Sequence, residues 1–311
     1  MSDATTRTVL KDATFEAMEV GQRLGPIELV VDDHYVKQFA FAVDDYAPIE
    51  AGRATGAHAA ILVPELLRLL NTRYDPNTEV GLHQREEVWI HSPVEVGERV
   101  VLSGSFVDKF VKRGKGYVVT DASAHSLEDG RLLVRHRSTE VARVDEGIEM
   151  GARTAPRPRR EVKGELPAGA PVAESAVAGL SPGTAVLGPV KSLHQDQMSV
   201  FSNVAAFWRT IHTDPGAAAK AGSERTIAQG LMEAMYLSEM GASFFGDSWL
   251  RSGWMSVAFL APVFAGDELS AKGVVVEPET REDPERLELE AWVENQDGVK
   301  AAVGWLGAIV G

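Results

Sequence analysis

Two short turns carry the side chains of this chain best suited to moving protons. The first reads Val43-Asp44-Asp45-Tyr46-Ala47-Pro48-Ile49-Glu50, and the second Arg209-Thr210-Ile211-His212-Thr213-Asp214-Pro215. His212 could act as general base and acid near neutral pH, because imidazole titrates close to it. The plainer role is a histidine that caps its own turn by bonding to backbone. If Asp45 and Glu50 face one pocket, their mutual repulsion raises one pKa and leaves an acid beside a base; otherwise they form a solvated turn. Asp214, just before Pro215, reads as a cap for the next turn. Arg209 either pairs with Asp214 or meets a carboxylate or carbonyl of a substrate. His58 is a weaker candidate near a helix start. The remaining histidines (His34, His83, His91, His125, His136 and His194) have no helpful spacing. No pair has the spacing of metal ligands, and neither a phosphate-cradling glycine loop nor a nucleophile elbow is present.

The elements that must position these turns are legible in the patterning. An apolar helix is expected from about Ile227 to Met240, with Thr226 as N-cap and Gly241 as stop. Its apolar residues cover most of the circumference, so it is expected to be buried rather than laid on a surface. A second mostly apolar helix is expected over about Ala59–Leu70, where Pro64 marks either the first turn or a kink. Shorter helices are expected at His34–Val43 and Gln195–Phe207. Residues 1–30 read as a polar lead-in with turns at Gly21 and Gly25.

Strand-like runs rich in valine and aromatic residues follow each buried helix. In the first half they are Glu87–His91, Glu98–Val111, Gly116–His125 and Arg131–Val144; in the second, Gly253–Leu260, Glu268–Val276, Arg286–Glu294 and Val299–Val310. Glu128-Asp129-Gly130 and Asn295-Gln296-Asp297-Gly298 are matching hairpin turns. The phrase Pro93-Val-Glu-Val-Gly97-Glu-Arg-Val100 returns as Pro262-Val-Phe-Ala-Gly266-Asp-Glu-Leu269. The chain therefore reads as a duplicated unit: residues 1–147, a Pro/Ala/Gly-rich linker over 148–186, and residues 187–311. One helix cannot cover each sheet alone. Joining the two copies edge to edge into one antiparallel sheet buries both helices, an α+β arrangement.

Composition narrows the function. A net charge of −14 repels phosphate backbones, so nucleic acid is not expected as a partner. The chain has no cysteine, which removes disulfides, thiolate nucleophiles and cysteine-ligated metals. The N-terminus lacks an apolar targeting core, and no run reaches the length of a membrane span, so a soluble cytoplasmic protein is expected.

The residues around the second turn resemble the MaoC-like dehydratases, or (R)-specific enoyl-CoA hydratases, of the hotdog fold. That family's turn reads roughly Asp-x-Asn-Pro-(Ile/Leu)-His-x-Asp and leads to a helix opening Ile-Ala-x-Gly. Ile211-His212-Thr213-Asp214-Pro215 resembles the end of the turn, Ile227-Ala228-Gln229-Gly230 the helix start, and Phe259–Asp267 the family's strand phrase. The resemblance runs once through each half and implies the double-hotdog subgroup, each sheet wrapped round its helix. The motif is incomplete in both halves. Phe207 and Arg209 stand in the second half's Asp and Asn positions. Asp45 is kept in the first half, where Ala47 replaces Asn and Glu50 stands in place of His.

The resemblance implies water addition to, or elimination from, an α,β-unsaturated acyl thioester. The catalytic candidates are then His212, Asp45 and Glu50. Gly230 is placed to offer a backbone N–H to the thioester oxygen at a helix start, with Gln229, Arg209 and Phe207 around the substrate. The alternative for Gly230 is tight helix–sheet packing. The implied partner is a small acyl substrate carried on coenzyme A, with no resident cofactor or metal, and a homodimer is open. A non-catalytic acyl-binding subunit and an acyl-CoA thioesterase are the competing readings.

Overall fold

A computed structural model of the chain describes residues 10–50, 56–75, 82–142, 161–202, 209–278 and 285–310. Ten strands form one antiparallel sheet: β1 (Arg23–Val31), β2 (Leu82–Ile90), β3 (Glu98–Lys112), β4 (Lys115–Ser126), β5 (Leu132–Ala142), β6 (Ala185–Ser192), β7 (Trp254–Phe259), β8 (Glu268–Val276), β9 (Arg286–Asn295) and β10 (Lys300–Ile309). Their order is β1-β3-β4-β5-β2-β7-β10-β9-β8-β6. The halves meet edge to edge where β2 pairs with β7, from Arg85 opposite Ala258 to Trp89 opposite Trp254. The continuous sheet expected from the duplication is what forms.

The outermost strands β1 and β6 are not anticipated by the patterning, and they repeat each other. Leu24-Gly25-Pro26-Ile27 and Leu187-Gly188-Pro189-Val190 each place Gly-Pro at a break in register. Proline lacks the N–H that a central strand must donate, so it is tolerated at a bulge on a sheet edge. The repeated corners also match in geometry. Gly97 and Gly266 hold φ of 92° and 93°, a region open to glycine. The acid that follows closes each corner, Glu98 accepting from the Glu95 N–H at 3.0 Å and Asp267 from the Phe264 N–H at 2.9 Å.

On the inner face lie α1 (Asp33–Val43), α2 (Ala47–Glu50), α3 (Val63–Leu67), α4 (Gln195–Phe201), α5 (Pro215–Lys220), α6 (Gly230–Phe245) and α7 (Asp247–Ser252). The long buried helix differs from expectation at both ends. Thr226 does not cap it: Ile227 is held in a strand-like bridge to Phe264, the Ala228 N–H donates to the Val263 carbonyl, and Gln229 is the cap residue. Gly241 does not stop it either. It lies inside the helix because a Cβ there would sit 2.7 Å from the Trp249 ring, and the chain turns only at Gly246. Leu231, Met232, Met235, Leu237, Met240 and Phe244 of α6 are all buried, each such side chain stabilising by roughly 1.5–3 kcal/mol.

The first half's central helix is shorter than its apolar run suggests. Pro64 marks the start of α3, and a 3-10 turn, Arg68–Thr72, takes over after Leu67. Gly130 and Gly298, both at φ 75°, make the two expected hairpin turns. Among the described residues no helix is long and apolar enough to cross a membrane.

Candidate active site at the mouth of the long helix

The second half builds its site where α6 begins. Asp214 caps α5, accepting from the Ala217 N–H at 2.8 Å, and this fixes the end of the turn that carries His212. Gln195 clamps the same turn, its Nε2 donating to the His212 carbonyl at 3.0 Å while its Oε1 accepts from the Thr226 hydroxyl. The His212 ring is half-buried, with Nδ1 2.7 Å from the Ile227 carbonyl oxygen. A carbonyl only accepts, so Nδ1 carries the proton and neutral His212 presents its lone pair at Nε2. Burial pushes the pKa below the ordinary 6.5, and the bond to Ile227 offsets this in part. The imidazole is therefore held neutral and ready to accept a proton.

Three residues beyond Ile227, at Gly230, the long helix starts. Neither the Gly230 nor the Leu231 N–H has a partner among the described residues, so the positive end of a sixteen-residue helix is open to a developing negative charge. Gly230 itself is required by packing: a Cβ would lie 2.9 Å from the Phe259 ring of β7. Gln229 does not point into open space; its Nε2 donates to Ser202 Oγ at 3.0 Å and ties the end of α4 to the start of α6. Arg209 is turned to solvent, its side chain 83% exposed and 4.0 Å from Asp214. At that distance and exposure the pair contributes little. Phe207 lies outside the described residues.

The first half builds a different mouth. Asp45 follows the left-handed residue Asp44 that ends α1, and its Oδ1 accepts from the Ala47 N–H at 3.2 Å. Asp45 is buried, whereas Glu50 sits on α2 facing solvent. The two carboxylates do not share a pocket, which removes the carboxylate-pair chemistry expected for this turn. Asp45 instead faces His58, both side chains 4% exposed, with Oδ2 3.9 Å from Nε2. His58 Nδ1 accepts from the Ala60 N–H at 3.1 Å, so Nε2 carries the proton. Burial lowers the His58 pKa, partly offset by Asp45. Phe39, Ile49 and Val36 line the narrow crevice beside this pair. His58 occupies the helix-start position of Gly56-Ala57-His58-Ala59, comparable to Gln229 in Ile227-Ala228-Gln229-Gly230. Reading the two halves against each other at that point would have raised His58 above a weaker candidate.

Polar contacts cross between the halves beneath both mouths. Lys191 of β6 donates to the Asp44 carbonyl and to Glu239 of α6, and Arg68 donates to the Phe201 carbonyl. No group of three or more histidine and acidic side chains among the described residues has the arrangement of a metal site.

A ten-stranded antiparallel sheet in two joined copies, each packed on a central helix, is the double hotdog fold. Solved structures agree. The chain aligns with a MaoC-like dehydratase at TM-score 0.67 and 15% identity, covering 96% of this chain and 100% of that one. A double-hotdog protein from Mycobacterium tuberculosis aligns at TM-score 0.62 and 13% identity over 95% and 98%. The peroxisomal multifunctional enzyme type 2 of Drosophila melanogaster aligns at TM-score 0.60 and 17% identity, over 92% of this chain and 48% of that one. Residues 177–297 match the family model of the MaoC like domain. No curated protein matches by sequence.

Proposed function

We propose that the chain is a hydro-lyase of the MaoC-like type, adding water to an α,β-unsaturated acyl thioester or removing it, with coenzyme A as the carrier. The observation that carries this reading is the pairing of His212 with the open start of α6. Nδ1 is committed to the carbonyl of Ile227, three residues before the buried helix begins at Gly230, so Nε2 is the basic atom.

In water addition, His212 Nε2 takes a proton from water as the oxygen bonds to C3. Negative charge then builds on the thioester oxygen. The Gly230 and Leu231 N–H groups and the helix dipole stabilise it there, and a donor in such a position contributes about 3–4 kcal/mol to an acyl-transfer transition state. The apolar walls of the first half hold the acyl tail. The Asp45–His58 pair is 3.9 Å apart without a bond, a poorer arrangement for the same work.

The test is a panel of trans-2-enoyl-CoA substrates, short, long, branched and aromatic, incubated with the full chain. Loss of the enoyl absorbance without release of free thiol is the expected result. Free thiol would establish thioester hydrolysis instead, and binding without turnover would establish an acyl-binding protein.

A further inference from the structure

The seam between the halves buries charge on the inner face of the sheet. Glu86 of β2 and His136 of β5 are both 0% exposed, with Oε1 2.7 Å from Nδ1. The second carboxylate oxygen, Oε2, lies 3.0 Å from Nε2 of His83, whose side chain is 12% exposed. That nitrogen is also 3.1 Å from the Arg85 carbonyl oxygen, toward which its N–H is better aligned. Both neighbours are acceptors, so Nε2 carries the proton and Nδ1 is the atom left to exchange one. Burial drives the Glu86 carboxyl pKa up, but His136 and His83 together bring it below the ordinary 4.5. A carboxylate this deep costs several kcal/mol unless it is paired. Glu86 Oε2, His136 Nε2 and Ser138 Oγ are buried with no bonded partner among the described residues, so the Glu86–His83 contact is one of charge rather than a hydrogen bond.

The cluster runs from the interior to the mouth of α6. The His83 ring is 4.8 Å from the Phe259 ring, and Phe259 is the side chain that fills the space a Cβ on Gly230 would need. One ring thus touches both His83 and the first residue of the helix.

We propose that His83, with Glu86 beside it, is a second acid–base group of the α6 mouth, contributed across the seam by the first half. This rests on the hydro-lyase reading above. Phe207 stands where the turn's aspartate is expected, so the turn itself offers His212 alone. With two groups the steps balance. An O–H bond of water breaks, its proton going to His212 Nε2 and its oxygen to C3. The π pair of C2=C3 then takes a proton from doubly protonated His83 at Nδ1, forming the C2–H bond. One water is consumed, nothing is oxidised or reduced, and the two imidazoles restore their protons through solvent. Glu86 compensates the charge on His83 before transfer, and His136 holds Glu86 in place.

The test uses the full chain with 15N-labelled histidine and butyryl-CoA, a saturated thioester that cannot be hydrated. The expected result is that the His83 ring signals, assigned by their loss in His83→Gln, shift on adding the thioester. His212 signals moving while His83 stays fixed overturns this inference and leaves the hydro-lyase reading standing. No shift at either ring overturns both. In turnover, His83→Gln is expected to lower kcat about 100-fold with KM within about threefold. Glu86→Gln, checked for folding by its melting curve, is expected to lower kcat less than His83→Gln does. A kcat for His83→Gln within about threefold of the parent, with the ring signals unmoved by butyryl-CoA, reduces the cluster to a structural clasp.

Discussion

The two halves share a plan and part company at the central helix. In the second half the helix is sixteen residues long and mostly embedded, and its start is open beside a neutral imidazole. In the first half Pro64 opens a helix of only five residues with no side-chain cap, and His58 spends its Nδ1 on the Ala60 N–H of the turn that precedes it. Peptide dipoles add along a helix, so a long helix presents more partial charge at its first N–H groups than a single turn does. The open start of a long helix beside a neutral imidazole is thus found in one copy of a duplicated fold, while the other copy contributes cross-seam contacts. The difference could not be seen from the turns alone, where the first half retains Asp45 and the second retains His212.

Ways to break or sharpen that contrast follow in order of size. If neutral His212 is the base, the acid limb of kcat/KM lies below pH 6.5 and falls by about tenfold per pH unit. An acid limb centred above pH 7 in a pH–rate profile contradicts the assignment. Next comes the long helix itself. Gly241→Ala drives a Cβ toward the Trp249 ring, which should cost about 1–3 kcal/mol of overpacking against about 1 kcal/mol gained in helix propensity. A urea midpoint lowered at unchanged slope is expected, and an unchanged or raised midpoint means that Trp249 gives way.

The third concerns the face that α6 turns to the first half. Burial, with Asp45 nearby, pushes the Glu239 carboxyl up from 4.5 to about 7, and Lys191 opposes this only in part. Between those values the unfolded chain has released the proton while the folded chain still holds it. Stability from this group therefore falls as pH rises through that window. Comparing urea midpoints at pH 5 and pH 7.5, the parent should lose more stability than Glu239→Gln; equal losses would remove the effect. The smallest effect is at Arg209, 83% exposed, where Arg209→Ala should leave both melting temperature and turnover within error.

Much of the fold could be read from the chain because local chemistry and tertiary context agree there. β8 runs over Glu268–Val276 as its valine-rich run implies, and the glycine hairpins sit where their φ is needed. β1 and β6 escape because Gly-Pro inside a strand reads as a turn; only the repeated Leu-Gly-Pro betrays them as equivalent bulged edges. The start of α6 is misplaced because Ile227 and Ala228, apolar enough to continue the helix, are claimed by bridges to Phe264 and Val263. Glu86 was hidden by starting β2 at Glu87. Extended back by strand alternation, the run places Glu86 on the buried face with Val88 and Ile90.

The most direct measurement compares the two mouths in one assay. His212→Ala and Asp45→Asn are assayed beside the parent chain for hydration of its best enoyl-CoA, with melting curves to show that each is folded. The account predicts that His212→Ala loses turnover by about 100-fold or more while Asp45→Asn stays within about threefold. Loss of turnover in Asp45→Asn with His212→Ala intact would place the chemistry in the first half and contradict it.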